Sequence, residues 1–138
     1  MAENKTSFTD VPVDEFLAKV TPERRVADAR VLIDLMARLS GEPAKMYGPS
    51  IIGFGQYRYC TDAGRESVMP RLCFSPRKAQ LVLYGLRDGP NHERLLARLG
   101  KFTSEGGCLY VKTLDDVDMA VLETLLAEAL AANRATSP

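Results

Sequence analysis

The chain has 138 residues, 46% of them hydrophobic and 26% charged, the balance of a water-soluble globular protein of one domain. Eighteen basic residues offset eighteen acidic ones, which argues against a general nucleic-acid or membrane-surface binder. No apolar run approaches the roughly 20 residues that a membrane-spanning helix needs.

The opening Met1-Ala-Glu-Asn-Lys-Thr-Ser lacks the apolar stretch of a signal peptide, so a cytoplasmic location is expected. Residues 1–9 are polar and are expected to form a flexible tail, as are residues 133–138. Cys60, Cys73 and Cys108 are odd in number and widely spaced, which indicates reduced thiols rather than a zinc ribbon or a disulfide framework.

Val13, Phe16, Leu17 and Val20 recur at helical spacing and predict a short amphipathic helix. Thr21-Pro22 restarts a helix that runs to about Ser40, with Val26, Ala29, Ile33, Met36 and Ala37 along one side. Gly41 stops it, and Pro43 prevents its resumption. From Ser50 to Cys60 the period becomes two, predicting one strand. Gly53, Gly55, Tyr57 and Tyr59 then share a face whose bare backbone invites close approach by a helix, a strand or a ligand.

A turn is expected at Thr61–Glu66, then a hairpin of Arg71–Phe74 and Gln80–Gly85 closed by Ser75-Pro76-Arg77-Lys78. Asn91 is placed to cap a helix bearing Leu95, Leu96 and Leu99, which Gly100 ends. Cys108–Lys112 is the last strand. Asp115 is placed to cap the final helix, with Asp118 three residues on and Val117, Val121, Leu122, Leu125, Ala129 and Leu130 as its apolar side. This helix is expected to fray after about Ala132. Strands clustered and joined by short turns predict an α+β domain with a four-stranded, mainly antiparallel sheet and helices packed against it.

Several chemistries are excluded. Gly53-Phe54-Gly55 would need a third glycine at Arg58 and a following helix to bind a dinucleotide, and it has neither. Gly48 and Gly53 have P-loop spacing, but Phe54 stands where lysine is required. His92 is the sole histidine, and no motif puts a nucleophile beside it, so an enzyme is the least favoured reading.

The basic residues Lys45, Arg58, Arg65, Arg71, Arg77, Lys78 and Lys101 gather around the strand region, where arginine forks suit phosphate or carboxylate. The favoured reading is a non-enzymatic binding module for a small anionic or phosphate-bearing ligand. Gly53, Gly55, Tyr57 and Tyr59 would form the floor, and Arg65, Arg77 and Lys78 the anion contacts. Asp115, Asp116 and Asp118 form the most acidic run and offer oxygen ligands to a hard cation or iron. A structural or partner-binding domain, such as a homodimer joined along an exposed strand or helix face, is a third reading.

The ordered segments Lys45-Met-Tyr-Gly-Pro-Ser-Ile-Ile-Gly-Phe-Gly, Tyr57-x-Tyr59, Gly64-Arg65-Glu66, Phe74-Ser-Pro-Arg-Lys, Leu99-Gly-Lys, Cys108-Leu-Tyr-Val-Lys and Leu114-x-Asp-Val-Asp118 resemble the YdhG-like family of small bacterial domains of unknown function. The resemblance spans roughly residues 12 to 130. It departs at Tyr47, where the family usually has tryptophan, and at Ser67-Val-Met-Pro, which replaces a Gly-Asp-Trp-like continuation. It implies a small α+β fold and brings no established catalytic residues. Some relatives are labelled frataxin-like iron carriers, which makes iron carriage by the surface carboxylates the alternative function.

Overall fold

The structure is a computed structural model. It describes residues 9–21, 23–48, 50–60, 66–84, 86, 90–105 and 108–135, with side chains outside 57–60, 66–69 and 133–135. The fold is α+β, as the clustered strands predict. Helix α1 spans Val13–Leu17 and α2 spans Glu23–Ser40. The strands are β1 (Ala44–Tyr47), β2 (Ile51–Phe54), β3 (Tyr57–Cys60), β4 (Glu66–Met69), β5 (Leu72–Pro76), β6 (Leu81–Tyr84), β7 (Thr103–Glu105) and β8 (Cys108–Val111). Helix α3 (His92–Leu96) follows β6, and α4 (Met119–Ala135) closes the chain after a single 3₁₀ turn at Leu114–Asp116.

The main sheet has six strands in the order β1-β2-β5-β6-β8-β7, all antiparallel, and this corrects the expected four. The two extra strands lie at its edges. Ala44–Tyr47 follows Pro43 too closely to show a period, and Thr103–Glu105 is short, polar and exposed. The Ser50–Cys60 run is two strands rather than one. Gly55 adopts φ +67°, a left-handed value that a pleated strand cannot pass through. β2 therefore ends at Phe54, opposite Leu72, while β3 pairs with β4 in a separate two-stranded sheet.

Residues directly opposed in antiparallel strands share a face. Met46, Ile52, Phe74, Leu83 and Leu109 make one row across five strands, and each is at most 1% exposed. α2 lies over β2 and β5, and α4 packs on β5 and α2. Leu32, Leu35, Met36, Leu122, Leu125 and Leu126 complete this core. Side chains of this size each contribute about 1.5–3 kcal/mol when buried, so the helix–sheet interface dominates stability.

The helix ends are made locally, not always by the residue expected. Asp118, not Asp115, caps α4: its Oδ1 accepts from the backbone N–H groups of Ala120 (3.0 Å) and Val121 (3.2 Å). Thr113 caps the preceding 3₁₀ turn by accepting from Asp115 N at 3.3 Å. Asn91 precedes α3 but its side chain does not cap it; Nδ2 donates to Glu128 Oε2 on α4 at 2.9 Å, and its backbone N–H donates to Oε1 at 3.1 Å. The helical backbone continues to Ala135, past the expected fraying point.

One buried cation ties α2 to the sheet. Arg25 is 5% exposed, and its Nη1 donates to the carbonyl of Lys112 just beyond β8. Its Nε finds no hydrogen-bond partner among the described residues. Asp28, one turn on, accepts from Leu114 N at 3.2 Å.

Candidate functional site

The expected floor residues divide between two sheets, and Arg77 and Lys78 leave β5 at the end away from Gly55. Gly55 follows β2 at the end of the sheet that holds Arg71. Arg77 and Lys78 leave the opposite end of β5, on the order of 20 Å away at strand rise. Gly53 lies inside β2, opposed to Lys45 on one side and Cys73 on the other. Tyr57 and Tyr59 lie on β3, not on an extension of β2; their side chains, and Arg65, are outside the described residues.

Gly55 is instead part of a polar cavity of about 420 Å³, lined by Glu42, Pro43, Lys45, Gly55, Gln56 and Arg71. Each element delivers its residue for a local reason. Gly41 turns the chain out of α2 at φ +73°, and Ser40 Oγ accepts from Glu42 N at 3.1 Å, setting Glu42 at the rim. β1 carries Lys45. Arg71 enters β5 with its backbone N–H donating to Phe54 O at 3.1 Å, which fixes it beside the Gly55 bend.

A Cβ at Gly55 would lie 3.3 Å from Glu42 Cγ and 3.4 Å from Arg71 Cδ, so both side chains flank bare backbone there. Among the described residues, two cations and one acid line the cavity, giving that part of its wall a net positive charge. Lys45 and Arg71 belong to the basic set visible in the sequence. Glu42 and Gln56 were not foreseen, since nothing local shows that the α2–β1 turn returns to the β2–β3 bend.

Arg77 lies over the sheet face turned away from the main core, a face that Lys45 and Gly53 share. There Lys45, Gly53, Cys73, Tyr84, Cys108 and Glu105 form a single row across all six strands. Arg77 Nη2 donates to Tyr84 Oη at 3.3 Å. Desolvation raises the Tyr84 phenol above its ordinary value, and the Arg77 charge partly opposes this. Desolvation, with Cys108 adding to it, pushes the Cys73 thiol up to about 12. At pH 8 Cys73 then holds far less thiolate than an ordinary cysteine. Native protein treated with iodoacetamide at that pH should leave Cys73 unmodified on a timescale that labels it fully in guanidinium. Peptide mapping by mass spectrometry reads this, and equal labelling rates in the two states would contradict it.

The acidic run does not converge. Asp115 is exposed, Asp118 is the α4 cap, and Asp116 contributes its backbone carbonyl to Lys101 N at 3.0 Å. Among the described residues no group of three or more His, Cys, Asp or Glu side chains is placed to share a metal ion. No described helix is long and apolar enough to cross a membrane.

No protein-family model, curated protein or solved structure matches the chain.

Proposed function

We propose that the protein is a YdhG-like, non-enzymatic binding module for a small anionic ligand, carboxylate or phosphate, held in the cavity at the Gly55 bend. The observation that carries this reading is the juxtaposition of Lys45 and Arg71 around a polar cavity whose wall includes bare glycine backbone. Arg71 offers a planar fork for two oxygens, and Lys45 adds a mobile point charge. Gln56 supplies an amide that can either donate or accept. Glu42 disfavours ligands of large uncompensated negative charge and sets a preference for small ones. Arg77 and Lys78 are not part of this site.

The test is an NMR titration of ¹⁵N-labelled protein with inorganic phosphate and with acetate. Saturable shifts centred on Lys45, Gly55, Gln56 and Arg71 are expected for at least one of the two. Arg71→Ala should weaken binding by about 10- to 100-fold, the effect of losing a charge-assisted hydrogen bond. Shifts that never saturate, or binding indifferent to both Arg71→Ala and Lys45→Ala, would remove the proposal.

A further inference from the structure

A second cavity, of about 340 Å³, lies beside β7 and β8, near the sheet edge opposite β1. Five strand spacings separate β1 from β7, roughly 24 Å, so the two cavities are independent. This one has a different character. Half-buried Tyr110 provides aromatic surface, Phe102 lines the recess while packing against the main core, and exposed Lys101 and Lys112 stand at the rim with Gln80. Asp116 is the one acid among the described lining residues, which together keep a positive balance.

The walls are fixed from both sides. Gly100 bridges to Val117, Lys101 N donates to Asp116 O at 3.0 Å, and Asp118 N donates to Leu99 O at 2.7 Å. These contacts clamp the segment that carries Lys101 and Phe102. Thr103 then pairs with Tyr110 in the sheet. Across the cavity, the Lys112 carbonyl is held by buried Arg25, and Leu114 N by Asp28. These contacts fix the backbone of both walls, so a ligand would meet a recess whose frame is already set.

We propose that this recess binds planar aromatic monoanions, with the ring against Tyr110 and the carboxylate or sulfonate between Lys101 and Lys112. Aromatic surface and a cationic rim answer the two halves of such a molecule.

The probe is 2-naphthoate, titrated into ¹⁵N-labelled full-length protein, with 2-naphthalenemethanol as its uncharged counterpart. Saturable one-to-one binding is expected, with shifts at Lys101, Phe102, Tyr110 and Lys112. The alcohol should bind about tenfold more weakly, and Lys101→Ala/Lys112→Ala should reduce naphthoate affinity by a similar factor. Both lysines are exposed, so the double variant should retain its fold, which an unchanged spectrum elsewhere verifies. Arg71→Ala should leave naphthoate binding intact, which separates this site from the first. Non-saturating shifts, equal affinity for acid and alcohol, or loss of binding on Arg71→Ala would each overturn the assignment.

Discussion

Gly100→Ala is expected to destabilise the protein by about 4 kcal/mol or more, a large share of the 5–15 kcal/mol typical of a folded domain. Two effects add. Gly100 has φ +127°, which residues with a Cβ rarely adopt. A Cβ there would also fall on the carbonyl oxygen of Asp116 and come within 3.1 Å of Val117 Cα. Both neighbours are backbone, so neither can swing aside. Relief requires breaking the Gly100–Val117 bridge and the adjoining Lys101 N–Asp116 O bond.

Gly41→Ala provides the contrast. Gly41 has φ +73° but nothing within 4 Å of a built Cβ, so only the backbone conformation is penalised, by about 1–2 kcal/mol. Urea unfolding of both variants measures the difference. Equal losses at the two positions would show that contact with the 3₁₀ turn is not what demands glycine at 100.

Phe74→Ala should remove about 3–5 kcal/mol. Phe74 is fully buried in β5, between Ile52 of β2 and Leu83 of β6, on the face that receives α2 and α4. Alanine would leave a void walled by two strands and two helices, which cannot collapse without moving an entire layer. Phe74→Leu fills most of that void and should lose roughly half as much. Val31→Ala, on a residue 47% exposed on the outer side of α2, should change stability by no more than about 0.5 kcal/mol. Similar losses for Phe74→Ala and Val31→Ala would mean that the sheet–helix interface is not the main source of stability.

The apolar periods located α2 and α4 because each buries one face and exposes the other, while the β5–β6 hairpin, buried on both faces, was marked by its short Ser75-Pro76-Arg77-Lys78 turn. Ala29, Met36 and Leu125 are all in the core that their spacing implies. β1 escaped because four residues carry too few alternations, and β7 because all three of its side chains are exposed. The apparent strand from Ser50 to Cys60 misled for the opposite reason. Its alternation survives the Gly55 bend, since β2 and β3 both have period two, and a backbone torsion leaves no mark on a hydropathy pattern.

The candidate site was legible in kind and not in membership. Glycine backbone and basic side chains do meet, but the partners are Gly55 with Lys45 and Arg71 rather than Gly53 with Arg77 and Lys78. Which arginine meets which glycine depends on strand register. Neither the short β1 nor the Gly55 bend that sets it is visible in composition or period.

The Gly55 bend also has a topological consequence. Phe54 opposes Leu72, and Arg71 N–H bonds Phe54 O, so the chain leaves the main sheet and returns to it at one point. Residues 55–71 are therefore an excursion from a meander, with the β3–β4 hairpin at its far end and a narrow neck at its base. Gly55 and Arg71 are the two sides of that neck. A ligand that bound Gly55 and Arg71 more tightly in one placement of the hairpin would draw the hairpin toward that placement, and the two equilibria would then be linked.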